Sequence, residues 1–315
     1  GAYVLARFEF HGRRTIRSLT AVPFVMPSIM VAIGFIATFG RNGVVNTVLT
    51  GIGLQPIQVL YTLPVIVLAH AFYNAPLVAR VTATAWESVD AGTAETALSL
   101  GASPRRAFVD VVLPQLLPAI LTGALLTFIF SFMSFAIVLA LGGLSLATVE
   151  VWVYQRVSQL DYETASALAT LEMLFSLLLT YAYLRYEARQ RAESAARPPE
   201  RKPLFGRLNA DRLAVWGYVA VVAVVFVTPM ASMVIASLTG PEGFTFAYYR
   251  FLIERQTTGA AFQIKPLTAI VNSLLYGAGT LALAVPMGVL LAVVSTREFP
   301  GSKLIDTLSM APFAV

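Results

Sequence analysis

The sequence contains no cysteine, only two histidines and few charged residues, and each scarcity excludes a class of protein. Without cysteine there is no disulfide bond, thiolate metal site or cysteine nucleophile. Charged residues make up 12% of the 315 positions, about half the share usual in soluble domains, whereas 57% are apolar. With a mean hydropathy of +0.74, this composition excludes an ordinary soluble enzyme and also a disordered chain, which needs low hydrophobicity and high net charge.

What the chain has instead is six long segments with almost no charge. A helix rises about 1.5 Å per residue, so about 20 apolar residues cross the hydrocarbon core of a bilayer, and every segment is long enough. Continuous apolar runs favour helices over barrel strands, which are about 10 residues long and alternate in polarity. We therefore predict an all-α membrane protein, a polytopic bundle of transmembrane helices. The predicted spans are Ser18–Phe39, Ile57–Ala79, Leu116–Leu141, Thr164–Leu184, Leu213–Leu238 and Leu267–Thr296.

Basic residues give this bundle an orientation. When the side changes at each crossing, 17 of the 22 Lys and Arg residues fall on the side of Arg13 and Arg14, and five fall on the other side. Because Lys and Arg in short loops stay in the cytoplasm, the first side is predicted to be cytoplasmic. The net charge of +5 is then a topology signal, and no nucleic-acid partner is expected.

The chain contains two related segments. Val4–Met26 aligns without a gap to Val293–Val315, with eight identities in 23 positions and a shared Glu-Phe-x-Gly core. Both copies run in the same direction through the predicted topology, so the repeat is parallel, and repeats are common in transporter folds. We expect a fragment that lacks the start of the first repeat and most of the second. The predicted domains are a first repeat over 1–184, a polar cytoplasmic linker over 185–212 and an incomplete second repeat over 213–315.

The predicted cytoplasmic loop Trp86–Pro114 carries the most specific pattern in the chain. Its length exceeds that of a simple connector. Ala94, Ala97 and Leu98 fall on one face of a predicted helix, because they follow i, i+3, i+4 spacing. Gly101 stands where a left-handed residue would end that helix.

A second short helix is predicted after this glycine. Ser103 can cap it, Pro104 fits its first turn, and Pro114 is expected to end it. The expected product is two short helices joined by a sharp turn at the membrane surface, either an interfacial amphipathic pair or an element that binds a partner. The second helix is predicted to have an apolar face of Phe108, Val111 and Val112 and a polar side of Arg105, Arg106 and Asp110.

This loop resembles the E-A-A-x3-G-x9-I-x-L-P loop of the membrane subunits of binding-protein-dependent ABC importers. Other segments, 68–80, 132–143 and 149–155, are similar to permeases of thiamine importers, a duplicated group that also includes iron(III) importers. The loop residues that match are Glu95, Ala97, Gly101, Leu113 and Pro114, while Thr96 replaces an Ala and Val111 replaces an Ile.

The resemblance implies a permease of the type I ABC importer kind, in the inner membrane of a prokaryotic cell. In this family the loop docks on a cytoplasmic ATPase, and the implied partners are a homodimer of ATPase subunits, an extracytoplasmic substrate-binding protein and the lipid bilayer. ATP and Mg are expected on the ATPase, because this sequence has no GxxxxGK[ST] loop. The chain is therefore expected to be no enzyme and to bind no cofactor. The expected coupling residues are Glu95, Ala97, Gly101, Ser103, Arg105, Arg106, Phe108, Val111, Leu113 and Pro114.

Polar groups inside membrane segments are the candidates for a substrate path, although Ser, Asn and His side chains also serve to pack helices. Glu172 is the most informative, because a carboxylate at that depth must be paired, neutral or hydrated, and it could attract a cation such as thiamine. Iron(III) is the alternative substrate. A membrane-embedded enzyme would need clustered carboxylates or histidines at the membrane face, and the sequence shows none; a passive channel would not need the two-helix loop. The path candidates are His70, Asn74, Ser131, Ser134 and Glu172.

Overall fold

A computed structural model shows a helical protein with two compact units, 1–233 and 234–315. Most of the two repeated segments, and most of the predicted linker over 185–212, lie outside the residues that the structure describes. The domain boundaries taken from the repeat therefore stay a prediction. The structure describes residues 2–9, 26–89, 91–143, 145–190, 202–203, 210–240, 243–254 and 266–295.

The first unit is built from helices, with one short parallel pair of strands in which β1 lies beside β2, Phe8 opposite Lys202. The last helix, α11, continues beyond the unit boundary. The elements are α1 (Ala2–Arg7), β1 (Phe8–Glu9), α2 (Ser28–Phe39), α3 (Val44–Gly51), α4 (Leu63–Glu87), α5 (Ala91–Ser99), α6 (Pro104–Arg106), a π-helical segment (Ala107–Val112), α7 (Leu113–Phe132), α8 (Ala136–Gly142), α9 (Val149–Ser158), α10 (Tyr162–Gln190), β2 (Lys202–Pro203) and α11 (Ala210–Leu238).

Six helical segments of the described chain are long and apolar enough to cross a bilayer, and each overlaps one predicted span. The prediction of a polytopic helical membrane protein is confirmed. The six segments are Ser28–Gly51, Leu63–Glu87, Pro104–Phe132, Tyr162–Tyr183, Val215–Leu238 and Pro266–Val293.

One predicted span is not a single helix. The charge-free run 116–141 is broken after α7, and the chain restarts as α8. The break lets Ile137, Val138 and Leu141 of α8 turn into the core between α2 and α4, where each is almost completely buried. In a continuous helix these three side chains would lie outside this core. Their burial in the core therefore favours the break.

The core of the first unit lies between α2, α4 and α8. Phe35 of α2 contacts Phe72 of α4 edge to face, with ring centroids 5.5 Å apart, and Phe226 of α11 stacks on Phe72 at 5.0 Å. Val151 of α9 completes this core and is fully buried. This packing fixes α4, the helix that leads directly into the loop.

The second unit contains a short antiparallel pair, β3 (Thr239–Gly240) and β4 (Gly243–Phe244), followed by α12 (Ala247–Glu254) and α13 (Pro266–Ser295). Ser237 and Tyr249 are joined by a hydrogen bond between their hydroxyl groups at 2.7 Å. Side chains of α13 are exposed along nearly its whole described length within this unit. Such an apolar, exposed helix fits a lipid environment.

Candidate functional site

The first helix of the loop, α5, ends at a left-handed glycine. Gly101 has a φ of +90°, and its N–H donates to the Leu98 carbonyl at 3.0 Å. The Ala102 N–H donates to the Ala97 carbonyl, also at 3.0 Å. These two bonds form a Schellman motif, in which glycine takes the left-handed conformation without steric cost. The prediction that Gly101 ends this helix is confirmed.

The second helix of the loop begins where the sequence predicts. Ser103 is its cap, because the Ser103 Oγ accepts a hydrogen bond from the Arg106 N–H at 3.3 Å. Pro104 is the first helical residue, a position at which the missing N–H costs nothing. Only Ala102 and Ser103 therefore separate the left-handed glycine from the next helix, which makes the turn short and well defined.

The prediction that Pro114 ends this second helix is wrong. The helix continues through the π-helical segment Ala107–Val112 into α7 and ends at Phe132. In the π turn the Leu113 N–H donates to the Phe108 carbonyl, one residue further back than in an α-helix. Pro114 then stands in the first turn of α7, where a residue without an N–H is tolerated. The second half of the loop, from Pro104, is thus a continuous extension of a membrane helix.

The loop divides its residues between a buried side and an exposed tip. Ala94 and Val112 are buried in a cluster with Trp86 and Leu116, whereas Leu98, which the spacing places on the same helix face as Ala94, is exposed. Of the ten expected coupling residues, Ala97, Val111 and Leu113 are half-buried, and Glu95, Gly101, Ser103, Arg105, Arg106, Phe108 and Pro114 are exposed.

One face of the Phe108 ring packs against the protein. Its ring stacks on Trp86 with centroids 5.8 Å apart and an angle of 26° between the planes. Trp86 also contacts Tyr3 of α1 at 5.4 Å. One face of Phe108 is therefore occupied, and 38% of the residue stays exposed. Sequence reasoning missed Trp86, because its partners lie 22 residues ahead and 83 residues behind in the chain.

Two of the five path candidates are bonded to each other. Asn74 of α4 is only 1% exposed and donates from Nδ2 to the Ser131 Oγ of α7 at 3.3 Å. His70, one turn earlier on α4, pairs its Nδ1 with the Ile66 carbonyl at 2.9 Å. Within the described residues, Nε2 of His70 and Oδ1 of Asn74 are buried and have no hydrogen-bond partner. Helix α4 therefore presents two unused polar atoms inside the bundle.

The other two candidates lie elsewhere. Ser134 follows α7, and its carbonyl accepts a hydrogen bond from the Thr148 Oγ1 at 3.3 Å. Glu172 of α10 is only 9% exposed, and in the described part of the chain its Oε1 has no hydrogen-bond partner. No hydrogen bond described in the structure joins Glu172 to Asn74 or Ser131.

A second acid near Glu172 was not found from the sequence. Glu150, in the first turn of α9, lies close enough for its charge to act on Glu172, and burial raises the pKa of Glu150. Ser176, one turn after Glu172 on α10, is buried, and its Oγ has no partner among the described residues. The packing of α9 against α10, which a sequence pattern does not specify, places the two acids near each other.

Comparison with known proteins decides the family. The family described as "Binding-protein-dependent transport system inner membrane component" matches residues 1–192 of this chain. The chain belongs to this family. Such a family supplies the membrane part of a transport system, which agrees with the prediction of a non-enzymatic, multi-pass subunit.

Relatives of the permease carry two different substrate names. The thiamine transport system permease protein ThiP of Escherichia coli (strain K12) is 35% identical over 179 residues, which is 56% of this chain and 33% of that protein. ThiP of Brucella abortus (strain 2308) is 29% identical over 296 residues, 93% of this chain and 51% of that protein. The sulfate transport system permease protein CysT of Escherichia coli (strain K12) is 31% identical over 191 residues, 60% of this chain and 68% of that protein. The chain therefore spans about half or less of the length of these ThiP proteins.

A solved structure shares the fold. It is the crystal structure of a bacterial alginate ABC transporter in complex with alginate pentasaccharide-bound periplasmic protein. One of its chains matches with a TM-score of 0.51 and 17% identity, over 62% of this permease and 72% of that chain. The likeness confirms the predicted fold of an ABC importer permease.

Proposed function

We propose that this permease forms the translocation path of an ATP-driven importer and is coupled to cytoplasmic ATPase subunits by the loop Trp86–Pro114. The observation that carries the proposal is the exposed tip of this loop. Leu100 is 83% exposed beside the rigid turn at Gly101, and Arg105 and Arg106 are exposed on the next helical turn. An exposed leucine with two guanidinium groups nearby supplies an apolar anchor and charged hydrogen bonds for a protein partner.

ATP and Mg belong, in this proposal, to the partner subunits, which act as a homodimer. Closure of the two ATPases moves the loop, and the permease changes from an inward-facing to an outward-facing state. An extracytoplasmic binding protein then delivers its solute to the open outer mouth. The support is the family membership together with the geometry of the loop, whose second half is continuous with a membrane helix.

The Leu100→Asp variant tests the docking site. A charge in the centre of an interface hot spot costs about 2 kcal/mol or more, so we expect the affinity for the ATPase to fall by about 30-fold. Leu54→Asp is the matched control, because Leu54 is also exposed but lies between α3 and α4, on the predicted outer side. Affinity is measured between the permease in nanodiscs and the purified ATPase. Unchanged binding by Leu100→Asp, or an equal loss in the control, would contradict the docking assignment.

The substrate is proposed to be thiamine or a related small organic cation. Support comes from the ThiP relatives and from Glu172, which is 9% exposed and whose Oε1 has no hydrogen-bond partner among the described residues, with the second acid Glu150 near enough for its charge to act on it. Carboxylates so placed favour a bound cation or a proton. His70, Asn74 and Ser131 are proposed to add neutral hydrogen-bonding groups to the path, with Ser134 near its end.

Sulfate is the second candidate, because the CysT relatives carry that name. The carboxylates would repel a dianion such as sulfate and attract a cation such as thiamine. A charged Glu172 should therefore favour thiamine uptake and oppose sulfate uptake. Iron(III), the alternative that the sequence resemblance left open, is also a cation, so the two carboxylates do not separate it from thiamine; the ThiP relatives favour thiamine.

The Glu172→Gln variant separates thiamine from sulfate. If thiamine is the substrate, removal of the charge should reduce thiamine uptake by about tenfold or more, since a hydrogen bond to a charged group contributes about 1.5–3 kcal/mol. Glu163→Gln is the control, because Glu163 is an exposed acid in the first turn of the same helix. Uptake of labelled thiamine and labelled sulfate is measured in vesicles that contain the complete transporter. Sulfate uptake that Glu172→Gln improves would refute the cation proposal.

A further inference from the structure

We propose that Trp86 is a positioning residue that joins the coupling loop to the helix pair α4 and α7, so that the loop and both helices move as one body. The inference rests on the proposed function, because it assumes that an ATPase moves the loop. It assigns to Trp86 the step between docking at the cytoplasmic surface and movement inside the membrane.

The contacts at the cytoplasmic end of α4 carry the proposal. Trp86 is 6% exposed and lies between Phe108 of the π-helical segment and Tyr3 of α1. The surrounding cluster takes a residue from each neighbouring element. It consists of Ala6 from α1, Val89 after α4, Ala94 from α5, Val112 from the π-helical segment and Leu116 from α7.

The indole ring of Trp86 holds this cluster together through packing contacts and not through a hydrogen bond. Its Nε1 is buried, and in the described residues it has no hydrogen-bond partner. An aromatic ring of similar size without an N–H should therefore keep the connection. A small side chain at position 86 should break the connection, because Phe108 would then have no aromatic ring to stack on.

Two further contacts join α4 to α7 at positions farther from the loop than Trp86. A β-carbon at Gly123 of α7 would lie only 3.3 Å from the Cα of Val78 of α4, so the two backbones approach closely. Asn74 then bonds to Ser131. Asn74 lies 12 residues before Trp86 on one helix, a distance of about 18 Å. Helix α4 is thus connected at its C-terminal end, through Trp86, and at two points in its middle, so a movement of Phe108 is passed along α4 to Asn74.

The test uses the reconstituted transporter with its ATPase and its binding protein. Trp86→Ala should still bind the ATPase and hydrolyse ATP within about twofold of the parent protein, but it should transport at least tenfold less thiamine per ATP. Trp86→Phe should transport within about twofold of the parent. Trp152→Ala is the control, because Trp152 is exposed on α9 and belongs to neither aromatic contact of Trp86.

A second readout does not depend on the substrate. The chain has no cysteine, so Thr93→Cys on α5 and Leu68→Cys on α4 place spin labels at two exposed positions only. The distance between the labels should stay the same in nucleotide-free and ATP-trapped states of the parent protein. In the Trp86→Ala background the distribution of this distance should broaden, or its mean should differ between the two nucleotide states.

The outcomes distinguish the inference from the proposed function. If the parent permease does not bind the ATPase, the proposed function fails, and this inference fails with it. If the parent binds and transports but Trp86→Ala keeps both the parent coupling ratio and the parent distance distribution, only the role of Trp86 is overturned. Loss of ATPase binding by Trp86→Ala while Trp86→Phe behaves as the parent would overturn it too, because Trp86 would then shape the docking surface itself.

Discussion

The turn at Gly101 allows the coupling proposal to be tested with a backbone change alone. A β-carbon at this glycine meets no atom within 4 Å, so a substitution adds strain from the φ of +90° and no clash. A residue with a β-carbon in the left-handed region costs about 1–2 kcal/mol. Since 1.4 kcal/mol corresponds to a factor of ten, the turn should become about 5- to 30-fold less populated relative to open conformations of the loop.

A graded series at this position should therefore follow the left-handed preference of each residue. Asn tolerates that conformation best after glycine, and β-branched Val tolerates it worst. We expect ATPase affinity to fall in the order Gly101, Gly101→Asn, Gly101→Ala and Gly101→Val, with the last near 30-fold. Gly101→Asp should abolish transport while membrane insertion stays intact, because a carboxylate near Arg105 and Arg106 adds a charge effect that Gly101→Asn lacks.

The control for this series is Gly53. It also has a positive φ, +78°, and open space around its missing β-carbon, but it follows α3 on the predicted outer side. Gly53→Val carries a similar backbone cost and should leave ATPase affinity unchanged. The measurement is the affinity of the permease in nanodiscs for its ATPase, together with transport in vesicles. Parent-like affinity in Gly101→Val, or an equal loss in Gly53→Val, would refute the reasoning.

Two further predictions concern stability in detergent. Gly123→Leu should destabilise the fold by about 1–3 kcal/mol, because the new leucine side chain would meet the backbone of Val78. Gly277→Leu is the control and should not destabilise the fold, because Gly277 is a helical glycine with open space around it. Chemical unfolding measures both variants. Burial raises the pKa of Glu150, so stability is lost as pH rises from about 4.3 through that raised value. Glu150→Gln should make the melting temperature less dependent on pH, and an unchanged pH profile would contradict this.

Local chemistry made parts of the site predictable. The left-handed end at Gly101 and the cap at Ser103 depend on hydrogen bonds between residues at most five positions apart, so residue type and spacing were sufficient. The six spans were likewise predictable, because the apolar length needed to cross a bilayer is a property of composition.

Contacts between distant residues were not predictable in the same way. The stack of Trp86 on Phe108 and the proximity of Glu150 to Glu172 depend on how helices pack, which periodicity alone does not determine. The continuation of the helix through Pro114 was missed for a different reason. A proline normally marks a helix end, and the π turn that accommodates it here has no sequence signature in this chain.

The two parts of the candidate site are proposed to have separate tasks, and the substrate question concerns only the residues inside the membrane. Leu100, Arg105 and Arg106 lie in the loop Trp86–Pro114, and Glu172 lies within the candidate span Tyr162–Tyr183, so the residues proposed to meet the ATPase are separate from those proposed to meet the solute. Relatives named for thiamine and for sulfate can therefore share a coupling mechanism while they differ in the charge of the path. For this reason family membership does not separate thiamine from sulfate, and the uptake measurements on Glu172→Gln are the test that does.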